Sequence, residues 1–174
     1  MLAGVQLSDG LKLEAIADGG FSYAEIPYEI IEKDELPTYK KKDGDSRVLK
    51  VSGFSYPLAK LTPDKMYELL ENCRRYQGNY IVLDTMNCEA GILENVVEEC
   101  SMMMTDYRIP VFIENGCNGS DETGYLNNAY SDISSLKSIA EYCNRLCDTA
   151  IVGISINCLL YTSDAADDKA RVDL

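Results

Sequence analysis

The chain has 174 residues, enough for one domain with a sizeable buried core. Apolar content of 46% and charged content of 26% are ordinary for a globular protein, and no run approaches the roughly 18 apolar residues of a membrane span. A formal net charge of −13 repels phosphate backbones and argues against a nucleic-acid partner, while the complete lack of histidine removes the commonest metal ligand and general base.

The opening Met1-Leu-Ala-Gly-Val-Gln-Leu7 has neither a basic leader nor a cleavage site. It reads as a first strand over 2–7, and a cytoplasmic location is the expectation. Residues 11–17 read as a helix stopped by Gly19-Gly20. Residues 21–26 alternate and predict a second strand ended by Pro27. A short helix is expected over 30–36 and a charged loop over 39–46. A third strand is expected over 47–54.

Thr62-Pro63-Asp64 is a helix start, with threonine as N-cap, proline at the first helical position and aspartate near the positive end of the dipole. Met66, Leu69, Leu70, Cys73 and Tyr76 follow at helical spacing, and Gly78 is expected to close the helix. Residues 80–83 predict a fourth strand. A long helix is expected over 89–107, with Met102-Met103-Met104 as core filling. Residues 109–113 predict a fifth strand. A helix over 131–147 turns Ile133, Leu136, Ile139, Ala140, Cys143 and Leu146 inward. Residues 150–156 predict a sixth strand.

Strands alternating with helices, and apolar on both faces, imply a parallel sheet covered by helices. No GxGxxG or GxxxxGK[ST] loop follows a strand, which weakens the doubly wound nucleotide-binding alternative. The fold class is therefore α/β, read as an incomplete (β/α)8 barrel of about six parallel strands, since a full barrel needs about 250 residues. Residues 1–157 are expected to be that partial barrel. From Cys158 the chain reads as a translated library-preparation adaptor, so residues 158–174 are expected to be a non-native tail.

The seven cysteines, at 73, 88, 100, 117, 143, 147 and 158, form no CxxC pair. Cys143 and Cys147 share one helical face, but no further ligands sit at zinc spacing. Reduced, mostly buried thiols are expected.

Catalytic groups of a (β/α) barrel project from the C-terminal ends of strands. The polar residues there are Gln6, Ser8, Glu25, Ser52, Ser55, Asp84, Glu114, Asn115 and Asn157. Glu114 is the strongest candidate: it ends the apolar run Val111-Phe112-Ile113 and precedes a glycine-containing loop. A carboxylate there can hold a divalent metal or move a proton beside a carbonyl.

Phe112-Ile-Glu-Asn-Gly-Cys-Asn-Gly-Ser120 resembles the "LEN…G-x-G" segment of the xylose isomerase-like TIM barrel superfamily, which includes endonuclease IV and the sugar phosphate isomerases and epimerases. Val152-Gly-Ile-Ser-Ile-Asn157 resembles the next strand of that family, Leu2-Ala-Gly-Val-Gln-Leu7 its opening strand, and Gly20-Phe-Ser-Tyr-Ala-Glu-Ile-Pro27 its second. The resemblance implies a sugar or sugar phosphate isomerase or epimerase whose parent uses a divalent metal (Mn, Mg or Zn). It makes Glu114 metal ligand and proton-transfer base. Gln6, Glu25, Asp84, Asn115 and Asn157 would meet substrate, Glu25 through its hydroxyls. The family's metal-binding histidines are missing. Asp84 stands where endonuclease IV has a histidine, and Asn157 where an aspartate ligand is usual. A non-catalytic barrel that binds a small polyol without metal is the alternative. A DNA-repair endonuclease is set aside, because a zinc site without histidine and an acidic surface both oppose it. The fragment itself is expected to be inactive.

Overall fold

The computed structural model describes residues 4–6, 23–33, 39–40, 46–47, 50–86, 88–116 and 130–156. Its elements in chain order are β1 (Gly4–Gln6), β2 (Tyr23–Pro27), α1 (Tyr28–Lys33), β3 (Tyr39–Lys40), β4 (Ser46–Arg47), β5 (Lys50–Pro57), a 3-10 turn (Leu58–Lys60), α2 (Pro63–Arg75), β6 (Tyr80–Asp84), α3 (Ile92–Tyr107), β7 (Val111–Glu114), α4 (Ile133–Leu146) and β8 (Val152–Ser155). The helix expected over 11–17 lies outside the described residues.

Six strands form one sheet in the order β1-β2-β5-β6-β7-β8, and every neighbouring pair is parallel. The expected charged loop over 39–46 instead carries the small antiparallel pair β3–β4, which stands apart from this sheet. Each new strand of the main sheet adds beside the previous one. A doubly wound sheet reverses its strand order at a switch point, and no reversal occurs among the described strands. Crossovers of one hand in one direction put the helices on one face. Accordingly α2 packs on α3, and α3 on α4.

Register identifies that face. Ile26, Phe54, Ile81, Val111 and Val152 are partners across successive strands, and all are buried in the core with Leu69, Leu70, Leu93 and Leu136 of the helices. Strand side chains alternate, so Ser55, Val82, Phe112 and Gly153, also partners in register, point to the opposite face. Val82 is buried but stands outside the helix-side core. Two aromatic rings cover glycines on this second face. A Cβ on Gly53 would lie 2.5 Å from the Tyr80 ring, and one on Gly153 would lie 2.8 Å from the Phe112 ring.

The helices form for the local reasons expected, with adjustments at their ends. Thr62 caps α2, its hydroxyl accepting from the Lys65 amide at 3.2 Å, and Asp132 caps α4, accepting from the Ser135 amide at 2.9 Å. The fourth strand begins at Tyr80 as expected, whereas the third and fifth begin later than the sequence suggested. Pro110 has no N–H to give and β7 starts only at Val111, while β5 runs Lys50–Pro57. Gln77 at φ 57°, and not Gly78, takes the left-handed position after α2; Arg108 and Asp148 do the same after α3 and α4. Ile133, expected inward, is exposed because it opens the first turn of α4. Of the methionine run only Met104 is fully buried, and Met102 is 83% exposed. No helix among the described residues is long and apolar enough to cross a membrane.

Candidate functional site

The C-terminal ends of the strands carry the candidate carboxylates. Asp84 and Glu114 each follow directly on a registered core pair, Leu83 with Ile113, so they stand beside each other on adjacent strands. Both point away from the helices, as does Ser155, the registered partner of Glu114. The two strand ends are tied together beneath them: the Thr85 hydroxyl, fully buried, donates to the Glu114 carbonyl at 2.8 Å. The Asn115 amide donates to the Ser155 carbonyl at 3.1 Å, and the Gly116 amide to the Tyr130 carbonyl at 3.1 Å.

Asp84 is partly committed locally. Its Oδ1 accepts from the Met86 amide at 2.9 Å, an Asx turn that fixes the carboxylate at the mouth of the loop. Asn115 is 2% exposed, so it is buried below the rim, whereas Glu114 is only partly buried. Gln6 pairs in register with Glu25. Asn157 lies outside the described residues.

Glu25 also lies on the helix-free face, but its register through Gly53 to Tyr80, the first residue of β6, sets it four residues short of Asp84, so contrary to expectation it is not brought to the Asp84–Glu114 rim. Its neighbour there is the Tyr80 hydroxyl. Burial first, and then the Glu25 carboxylate, push that hydroxyl above its ordinary pKa, while Ser52 opposes the shift. The Ser52 Oγ stands 3.3 Å from the Tyr80 hydroxyl. Ser52 reaches it through a bulge: Ala24 pairs with Val51 and Glu25 with Gly53, which leaves Ser52 as the extra residue of β5. Tyr80, Ser52 and Ser155 therefore join the polar face, and Thr85 braces it from beneath. Ser52 was a strand-end candidate, but the roles of the other three depend on register and were hidden in the sequence.

Among the described residues no group of three or more histidine, cysteine, aspartate or glutamate side chains could hold a metal ion. The rim offers Glu114 and Asp84, with one Asp84 oxygen already receiving an amide. These residues alone do not fit a divalent cation.

The five described cysteines are free and buried. Burial pushes the thiols of Cys73 and Cys88 up to about 11 and that of Cys143 to about 12, and raises Cys100 and Cys147 as well. At neutral pH all five are protonated core thiols and none is a nucleophile. Brief iodoacetamide treatment of the native protein at neutral pH should leave these five unmodified, and the same treatment in denaturant should alkylate them. Peptide mass spectrometry reads the difference, and native alkylation of Cys143 would contradict the burial.

A shallow depression lined by Glu141, Asn144, Arg145, Asp148, Thr149 and Ala150 lies where β8 begins, at the end of the strand away from the carboxylates. The fold and the rim together define an α/β chain with an all-parallel, singly wound sheet and acidic strand ends on its helix-free face. No family model, no curated protein and no solved structure matches the chain.

Proposed function

We propose that the strand ends around Glu114 form a polyol site of the sugar isomerase or epimerase kind, built on part of a (β/α)8 barrel. The observation that carries the reading is the placement of Asp84 and Glu114, neighbours at the C-terminal ends of adjacent parallel strands and on the face without helices. Barrel enzymes build their sites at this end of the strands. Closure into a barrel is supported by the strand order, which never reverses, and by the apolar Val82 and Phe112 on the helix-free face, which a closed barrel would cover.

In this reading Glu114 is the proton-transfer carboxylate beside the substrate carbonyl, and Asp84 accepts a hydroxyl hydrogen. Glu25, level with the start of β6 and held by Tyr80, stands apart from that pair and is not part of the site. Carboxylates suit such work because they accept hydrogen bonds from neutral polyols and exchange protons with carbon acids. The parent protein would add a divalent metal only with ligands beyond the described residues.

Saturation-transfer NMR with a panel of neutral and phosphorylated sugars tests this. Binding of at least one sugar that Glu114→Ala abolishes is the expected result; no binding by any of them would overturn the reading. A second reading, a polyol-binding barrel without catalysis, is favoured by the engagement of Asp84 with the Met86 amide. Calorimetric titration with Mn²⁺ or Mg²⁺ separates the two. A metal site lost in Glu114→Ala supports the isomerase, and sugar binding with no metal site supports the binder.

A further inference from the structure

Each contact between successive helices carries the same three-part arrangement. At α1–α2 the Tyr28 hydroxyl donates to Glu68 Oε1 at 2.8 Å, and Lys65 Nζ lies 5.4 Å from the Tyr28 ring centre. At α2–α3 the Tyr107 hydroxyl donates to Glu71 Oε2, and the Arg74 guanidinium lies 5.8 Å from the Tyr107 ring centre. At α3–α4 the Tyr142 hydroxyl donates to Glu98 Oε1 at 2.6 Å, and Arg145 lies 5.8 Å from the Tyr142 ring centre. The partners are 40, 36 and 44 residues apart, so no local turn imposes these bonds.

We infer that these three tyrosine–glutamate pairs are one repeated latch, fastening the helix layer interface by interface, so that each helix pair opens separately from the next. The chemistry fits that role. A phenol donating to a carboxylate is a charge-assisted bond, stronger than a neutral one. A cation over the ring draws on its negative face. The ring itself packs against the core, since Tyr107 and Tyr142 are partly buried beside it and Tyr28 wholly so.

Helix α2 serves two latches at once. Lys65, Glu68, Glu71 and Arg74 recur every three residues along it, and the first two meet Tyr28 while the last two meet Tyr107. Neighbouring residues three apart share a helix side, so the row spans the groove between α1 and α3. The third latch draws its carboxylate from α3 and both its phenol and its cation from α4. Among the described residues the last helix, which lies against the edge strand β8, is thus held to the layer by one latch, beside the bond from the Thr105 hydroxyl to the Cys147 carbonyl at 2.8 Å.

Native-state amide exchange followed by mass spectrometry tests this, because it reads local opening segment by segment. Tyr142→Phe keeps the ring and removes the donor. It should speed exchange in α3 and α4 by about two- to fivefold, the factor matching loss of one solvent-exposed charge-assisted bond, and leave α1 and α2 unchanged. Tyr107→Phe should do the same to α2 and α3 and spare α4. Glu98→Gln keeps an acceptor oxygen and should retain more protection than Glu98→Ala. Exchange that rises equally throughout the protein, or does not rise at all, would overturn the inference.

Discussion

Replacement of Asn144 by alanine should lower the stability of the protein by about 3 kcal/mol, because one side chain holds the start of β8 to α4. Its Nδ2 donates to the Val152 carbonyl at 2.8 Å, and its Oδ1 accepts from the amides of Ile151 at 2.8 Å and Val152 at 2.7 Å. Ile151 and Val152 are buried, so water cannot readily replace the lost partner. The Ile151 amide also reaches the Thr149 carbonyl at 3.0 Å, and the loss therefore falls mainly on Val152. For a chain of this size the melting temperature should drop by roughly 10 °C. Asn144→Asp should cost less, since it keeps the acceptor and turns only the donor into an oxygen facing the Val152 carbonyl. Thermal unfolding followed by circular dichroism checks both variants, and an unchanged midpoint for Asn144→Ala would contradict the anchoring role.

Gly53→Ala should be similarly harmful, by about 1–3 kcal/mol, through overpacking. An added Cβ would meet Tyr80 Cε2 at 2.5 Å and the Tyr80 carbonyl oxygen at 2.6 Å. A flexible side chain could move aside, but this ring is held. It stacks edge-on against Phe112 at 5.9 Å between centres, and its hydroxyl stands between Ser52 and Glu25. The carbonyl belongs to the sheet and has less freedom still. In a Tyr80→Ala background the cost of Gly53→Ala should shrink, because the ring clash is gone, yet remain above zero because the carbonyl clash is not. Denaturant unfolding of the four proteins in this cycle measures the coupling. Full additivity would show that Gly53 and Tyr80 are independent.

The helices and most strands were legible because their signals are local. Thr62-Pro63 sets the start of α2, and Leu69, Leu70, Leu93 and Leu136 fall on apolar faces that the helical period exposes. Strand ends slipped because a strand stops where its neighbours stop pairing, which the chain alone does not state. Ser52 shows this well: its position is decided by a mismatch between β2 and β5. The anchoring role of Asn144 carries no signal in the sequence because its partners are backbone groups of the next strand, 7 and 8 residues on.

The same division runs through the site. Glu25, Asp84 and Glu114 could be chosen from the rule that barrel chemistry sits at strand ends; register places all three on the helix-free face but brings only Asp84 and Glu114 together, with Glu25 level with the start of β6. What surrounds them could not be chosen. The contact of Glu25 with Tyr80, the tie from Thr85 to the Glu114 backbone and the burial of Asn115 each require two strands to be brought together first. The tyrosine–glutamate latches were hidden for the same reason.

The proposed ligand site is the helix-free rim at Asp84 and Glu114. Two-dimensional amide NMR of the chain during titration with the sugar that binds most tightly in the panel addresses it directly. Shifts should concentrate at residues 84–86, 114–116 and 155–156, and Glu114→Ala should abolish them. Shifts confined to the helix layer or to the depression beside Asn144, or shifts that persist in Glu114→Ala, would contradict the account.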